Sequence, residues 1–197
     1  MKRFFDVILS ILALLALAPL IAVICILIRL SMGAPVIFTQ LRPGRGGRSF
    51  KMRKFRTMRV QDSPAVDTHT DVHRLTKLGH VLRRTSLDEL PELWNILRGD
   101  MSLVGPRPLL DEYLPLYSDE QARRHDVRPG LTGWAQVHGR NTLDWTQRFE
   151  LDVWYVDHAT FLLDCRILLK TVLQVLRFRE TSSVGHVTQS KFSGNPE

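Results

Sequence analysis

Residues 4 to 28 read FFDVILSILALLALAPLIAVICILI, and this run restricts what the chain can fold into more than any other stretch. Of its 25 residues only Asp6, Ser10 and Pro19 are not plainly apolar. A straight helix of that length reaches about 37 Å, against a hydrocarbon core of roughly 30 Å. A secretory signal does not fit, because the run is too long and Arg29 follows where a small-residue cleavage site would stand. A plain spanning helix and a re-entrant hairpin both fit the length. Two features favour the hairpin. Pro19 has no N–H to donate and crowds the preceding turn, so it kinks or breaks the helix. A break would leave arms of 15 and 9 residues, each too short to cross alone. Cations also flank both ends: Lys2 and Arg3 before, then Arg29, Arg42, Arg45, Arg48, Lys51, Arg53 and Lys54 after. Basic flanks belong on the cytoplasmic side. A helix that enters one leaflet, bends near Pro19 and returns satisfies both flanks. Proline-kinked spanning helices are tolerated as well, so the pattern alone leaves both topologies open.

The remainder of the 197 residues suits one compact domain. The formal charge of +7 favours anionic partners: nucleic acid, acidic head groups or phosphorylated substrates. A membrane-anchored nucleic-acid-binding protein is thus an alternative reading, but the cations are dispersed among apolar helices and form no nucleic-acid-binding motif, so no nucleic-acid partner is expected. Cys25 and Cys165 are the only cysteines and show no CxxC or disulfide framework, which fits a reducing compartment. The seven histidines have no zinc spacing.

The segments VIFTQ and FKMRKFRTM predict two short strands, joined through Pro43, Gly44, Gly46 and Gly47 as a hairpin loop. A phosphate-cradling glycine loop is the rival reading, but no GK[ST] follows. Residues 60 to 72 read as a loop. Leu75, Leu78, Val81 and Leu82 recur at helical spacing, and a second helix is predicted over roughly 87–98 with Gly99 as its stop. Ser86 and Glu89 fit a capping box. Asp88 as N-cap would instead place Pro91 in the first turn. Another helix begins at Ser118 to Gln121 and ends near Arg128. GLTGWAQVHGRN reads as irregular or extended. Residues 142–158 are helical, with Trp145, Phe149, Val153 and Val156 on one stripe. Residues 162–178 form an apolar helix edged by Arg166, Lys170 and Arg177. Both stripes fit core packing, and both fit amphipathic helices lying at a membrane surface. The expected fold class is α+β and mainly helical, with a membrane helix, favoured as re-entrant, over 1–32, a small β-hairpin within a domain over 33–179, and a C-terminal tail over 180–197.

Within SLDELPELWNILRGDMSLVGPRP, Asp88 and Glu89 are adjacent. Acids at a helix start complement the macrodipole and need no chemistry. Their surroundings point further. Arg83 precedes them, Lys54 sits in a predicted strand, and Arg107 is held between Pro106 and Pro108. Cations gathered around two carboxylates suit a site where a carboxylate must approach a phosphate. Carboxylates are competent nucleophiles toward phosphorus, and a divalent metal would help cancel the repulsion between two anions.

The chain resembles the monotopic phosphoglycosyl transferases, bacterial enzymes that begin lipid-linked glycan assembly. The resemblance covers nearly the whole chain: the basic-apolar segment with its central proline, VIFTQLRPG, KFRTM, SLDELPELWNILRGDMSLVGPRP and RHDVRPGLTGWAQVHGRN. One departure is Ala18, where relatives often carry serine before the membrane proline; a hydroxyl that could bond back to the helix is missing. The resemblance implies transfer of a phospho-sugar from a UDP-sugar to polyprenol (undecaprenyl) phosphate with Mg²⁺, releasing UMP. It implies that Asp88 is the nucleophile and a metal ligand, that Glu89 is its catalytic partner, and that Lys54, Arg83 and Arg107 bind phosphate. It also implies a monotopic protein on the cytoplasmic face of the bacterial inner membrane, in contact with phospholipid. Direct attack by the lipid phosphate in a ternary complex, with the acids only holding metal, is the alternative mechanism. An inactive assembly subunit is a further alternative, against which the intact acid pair argues. No residue pattern selects the sugar or an oligomeric state.

Overall fold

The computed structural model describes residues 1–59, 74–139, 142–176 and 191–195. It is α+β and mainly helical, as expected. Helix α1 (Lys2–Met32) carries the apolar run. Strands β1 (Ile37–Pro43) and β2 (Ser49–Phe55) form the predicted hairpin, antiparallel with Ile37 opposite Phe55 and Pro43 opposite Ser49. Its turn uses Gly46 at φ 64° and Gly47 at φ 71°, a region open to glycine but strained for other residues. Then come α2 (Lys77–Arg84), α3 (Glu92–Arg98), β3 (Ser102–Val104), α4 (Asp119–Ala122), β4 (Gly130–Thr132), α5 (Trp134–His138), α6 (Trp145–His158) and α7 (Phe161–Leu176). The expected loop over 60–72, Arg177 and residues 180–190 lie outside the described residues.

Pro19 lies inside α1 and does not break it into two arms. A proline removes only one intrahelical donor, and the apolar neighbours have no other way to satisfy their backbone, so the helix continues. Among the described residues α1 is the one helix long and apolar enough to cross a membrane. Only 11% of its most apolar window is buried, so it is not the core helix of a soluble domain. The buried positions Asp6, Ser10, Ile24 and Ile28 form a stripe that faces the domain.

Both ends of that stripe are fastened. At the start, Lys2 Nζ pairs with Asp164 Oδ2 at 2.5 Å. Arg3 donates to the Ile96 and Leu97 carbonyls in the last turn of α3. Asp6 accepts from Ser102 Oγ at 2.9 Å and from the Leu103 amide at 3.1 Å. At the far end, Ile24 and Ile28 pack with Phe55 and Leu82. Arg56 donates to the carbonyls of Met32, Gly33 and Ala34.

The main core gathers Met52, Leu93, Ile96, Met101, Val104, Val137, Tyr155 and Ile167 from β2, α3, β3 and the later helices. β3 and β4 pair in parallel, Ser102 opposite Gly130 and Val104 opposite Thr132. Gly105 and Gly130 let the backbones meet there: a Cβ on Gly130 would lie 2.1 Å from the Gly105 amide nitrogen. A smaller aromatic cluster joins Tyr113 and Phe149 to Phe192, which is buried although it falls in the segment read as a tail.

Several element boundaries differ from expectation. WAQVH within the stretch read as irregular is a short helix, α5; its flanking glycines hid a single turn and a half of helix. The helix begun by Ser118 stops at Ala122 and continues as a 3₁₀ turn, Arg123–His125. Val81, expected on the apolar stripe of α2, is exposed. The α7 helix buries Ile167 but turns Phe161, Leu162, Leu169, Val172 and Leu173 outward. Phe161 packs on Phe5 of α1 at 4.6 Å between ring centroids, so the outward apolar sides of the two helices adjoin.

Candidate active site

Asp88 and Glu89 sit in a 3₁₀ turn, Leu87–Glu89, between α2 and α3 rather than in the first turn of one long helix. Neither expected cap forms. Ser86 is in the left-handed region at φ 58°, so its hydroxyl does not cap the turn. Pro91 occupies the position before α3. A serine at positive φ is a strained choice, tolerated where the surroundings over-determine it. Here it reverses the chain so that the two acids face β2.

β2 brings Lys54. Asn95 of α3 fixes that strand: its Oδ1 accepts from the Arg53 amide at 3.0 Å and its Nδ2 donates to the Lys51 carbonyl at 2.8 Å. Lys54 Nζ then lies 2.6 Å from Glu89 Oε1 and 3.1 Å from Glu92 Oε1. Arg107, on the segment after β3, reaches the same Glu89 oxygen at 2.5 Å through Nη2. Behind it, Arg124 donates to the Arg107 carbonyl at 2.8 Å. Arg83 donates from Nε to Thr57 Oγ1 at 3.1 Å and contributes its charge beside Asp88 without joining the Glu89 pairs.

Of the five residues expected at the site, Lys54, Glu89 and Arg107 meet at one carboxylate oxygen, Asp88 adjoins Glu89 in the same turn, and Arg83 flanks Asp88. Sequence reasoning passed over Glu92, which is only 2% exposed and shares Lys54 with Glu89. The signal was the i, i+3 spacing, which puts two acids on one face of a helical stretch. Asn95, Arg124 and Arg42 were also passed over.

The acids are not equivalent. Burial, and after it the neighbouring Glu89, raise the Asp88 carboxyl to about 6 against the opposing pull of Lys54, Arg107 and Arg83. Burial also works against ionised Glu89, but Arg107 and Lys54 outweigh it and hold its carboxyl well below the usual range. Burial, opposed by Lys54, raises Glu92 to about 7. Glu89 is therefore a fixed anion clamped by two cations. Among the described residues Asp88 has no hydrogen bond or ion pair, though it is only 9% exposed. Of the three acids Asp88, Glu89 and Glu92, it is the one with no ion pair to a neighbouring cation.

The described residues contain no group of three potential metal-ligating side chains. Mg²⁺ does not require one, since it binds through one or two carboxylates and completes its octahedron with phosphate oxygens and water. The uncommitted carboxylate of Asp88 fits that role.

The family model described as bacterial sugar transferase matches residues 1–178. The chain is 49% identical over 195 residues to an uncharacterized sugar transferase, EpsL, of Bacillus subtilis, covering 99% of this chain and 96% of the relative. It is 41% identical over 188 residues to the exopolysaccharide production protein ExoY of Sinorhizobium fredii, covering 87% and 83%. It is 40% identical over 185 residues to the UDP-glucose:undecaprenyl-phosphate glucose-1-phosphate transferase of Escherichia coli, covering 88% of this chain and 40% of that protein.

Proposed function

The chain belongs to the bacterial sugar transferase family, and from that membership and the site geometry we propose that it moves a sugar 1-phosphate from a UDP-sugar to undecaprenyl phosphate through a covalent intermediate on Asp88. The observation that carries the mechanism is the unpartnered Asp88 carboxylate beside Glu89, which is clamped by Lys54 and Arg107.

An Asp88 oxygen attacks the sugar-side phosphorus. The bond from that phosphorus to the bridging oxygen breaks, and UMP leaves carrying the oxygen and its electron pair. An oxygen of undecaprenyl phosphate then attacks the same phosphorus. The Asp88–phosphorus bond breaks, the carboxylate is restored and the lipid diphosphate-sugar departs. Splitting the transfer means that the soluble and lipid substrates need not occupy the site together.

Charge decides whether the first attack can happen, because a carboxylate must approach an anion. Lys54 and Arg107 are placed by Glu89 where they offset that repulsion. A bound Mg²⁺ on Asp88 would neutralise diphosphate charge and aid the leaving group. Burial keeps competing water away and strengthens each electrostatic contact.

The same proposal places the domain on the cytoplasmic face with α1 re-entrant. Lys2 and Arg3 at one end and Met32 to Ala34 at the other are bonded to the same domain. A helix crossing a roughly 30 Å hydrocarbon core would part those ends. The adjoining outward faces of α1 and α7 supply apolar surface for one leaflet.

The test is to incubate enzyme with Mg²⁺ and a UDP-sugar but no lipid. Mass spectrometry should find a phospho-sugar on the peptide containing Asp88, with matching UMP release. An active enzyme that shows no adduct under rapid quench, with intersecting rather than parallel initial-rate lines, would leave Asp88 as a metal ligand in a ternary complex.

A further inference from the structure

Arg42 and Lys54 project from the same face of the β1–β2 hairpin. Arg42 pairs with Phe50 and Lys54 with Phe38, four register steps apart along one face, or about 13 Å. The residue after Arg42, Pro43, lines a small cavity together with Arg107, Arg124 and His125. The Arg42 guanidinium spends Nη2 on Gln40 Oε1 at 2.7 Å, while its Nε is buried with no hydrogen-bond partner among the described residues.

Such an arrangement costs stability. A buried guanidinium donor without a partner loses its hydration for nothing in return. Burial and then the nearby Arg107 charge hold the Arg42 pKa below its ordinary value, against the pull of Glu92, Tyr113 and Asp111. Arg148, 8% exposed and stacked over Trp145 at 5.0 Å, adds another cation from α6. Burial likewise lowers its pKa, with Arg107 and Arg124 adding to the effect and Asp152 opposing it. Of the acids nearby, Asp152 is committed to Arg124 and Glu89 to Lys54 and Arg107, while Asp111 Oδ1 is buried without a hydrogen-bond partner among the described residues. Arg107 uses only Nη2 among the described residues, which leaves part of its fork open. Arginines kept this close suit an anion that bridges them during the working cycle.

We propose that Arg42, with the open arm of Arg107, binds the nucleoside-side phosphate of the UDP-sugar. This rests on the donor assignment above. The sugar-side phosphate lies at Asp88 and Lys54, and the second phosphate is displaced along the hairpin face toward Arg42. The leaving UMP is then held by Arg42 as its bond to phosphorus breaks. A lipid phosphate has the same chemistry, so the experiment must separate the two sources.

The experiment measures UMP and undecaprenyl phosphate binding to full-length Asp88→Asn enzyme in lipid nanodiscs by calorimetry, where no turnover occurs. Adding Arg42→Gln should weaken UMP binding about tenfold or more, leave lipid-phosphate binding within about twofold, and raise the donor KM of the otherwise wild-type enzyme. Arg42→Lys should recover part of the UMP affinity. Unchanged UMP affinity in Arg42→Gln overturns the proposal. Selective loss of lipid-phosphate binding also overturns it and gives the position to the acceptor. Loss of both ligands in Arg42→Gln with UMP recovered in Arg42→Lys supports it, whereas loss of both in both variants overturns it. An Asp88→Asn parent that binds no UMP sinks the donor assignment as well. An aspartyl adduct with unaltered UMP binding in Arg42→Gln sinks only the role of Arg42.

Discussion

Arg124 donates to the backbone carbonyl of Arg107 at 2.8 Å from a side chain that is 1% exposed. The same guanidinium binds Asp152 Oδ2 through Nη2 at 2.7 Å and Nε at 3.2 Å. The cation that reaches Glu89 is thus aimed by a second cation that never meets solvent. Truncating Arg124 strands a buried carboxylate, and breaking such a pair costs about 3–5 kcal/mol. Arg124→Ala should therefore lower the unfolding temperature and turnover together. The double variant Arg124→Met/Asp152→Leu should recover much of the stability but not the turnover, because the Arg107 carbonyl still lacks its donor. Thermal unfolding in detergent set against UMP release separates the two effects.

The turnover rate should follow the ionisation of Asp88. Its carboxyl is raised to about 6, and only the ionised form attacks phosphorus. The rate of the first half-reaction should rise with pH through about 6 and then level off. UMP release under single-turnover conditions across pH 4.5 to 8 reads this directly. A flat profile through that range would contradict the environment assigned to Asp88.

Stability should show the opposite trend. A carboxyl whose pKa rises from 3.8 to about 6 on folding binds its proton more tightly in the native state, so native stability falls as pH rises between those values. Asp88→Asn removes that penalty. The variant should be more stable than wild type by about 1–3 kcal/mol at pH 7.5, with the advantage gone near pH 4. Denaturant unfolding at the two pH values would show it, and the same variant should have near-background transfer.

Glu89 is the hinge of the charge cluster, because one of its oxygens serves both Lys54 and Arg107. Glu89→Gln removes the anion that Lys54 and Arg107 share and leaves Lys54 only Glu92, so turnover should drop severely. Arg107→Lys keeps a charge for Glu89 but lacks the planar fork that an incoming phosphate needs. Its rate should fall about 10²–10³-fold, the usual cost of losing one well-placed donor in a charge-stabilising site. Steady-state UMP release checks both, and near-normal turnover in Arg107→Lys would show that the fork is not used.

The parts of the site legible in the sequence were those where one residue type had a single physical use. The glycine cluster at 44–47 announced a hairpin because two positions adopt positive φ. GPRP announced a rigid segment, whereas GLTG read only as irregular or extended; both belong to backbone packing between Gly105 and Gly130 that a Cβ would forbid. The Ser86 cap failed because spacing suggested a capping box, yet the turn needs Ser86 in the left-handed region. Nothing in the sequence singled out Arg124 or Arg148 as buried. Their burial depends on Asp152 and on the aromatic rings of Tyr117, Phe149 and Trp145, which long-range packing alone brings near. Glu92 was hidden because an acid in a first helical turn already has an ordinary use.

The membrane reading turns on α1. Asp6 and Ser10 lie in an apolar helix, and a buried carboxylate there needs partners. Asp6 finds them in Ser102 and Leu103, on the strand that leads to Arg107. Lys2 is tied to Asp164, and Arg56 gathers the carbonyls just past the other end. Both ends should therefore face the cytoplasm. With Cys25 and Cys165 replaced by serine, one cysteine is placed ahead of Met1 and another at Ser31, which is exposed and close to the end of the helix. These positions leave Lys2 and the Arg56 contacts intact. An impermeant maleimide should label neither site in intact cells and both after permeabilisation. If the cysteine at one end alone reacts from outside, α1 spans the membrane, and the contacts at its two ends cannot both exist in the bilayer.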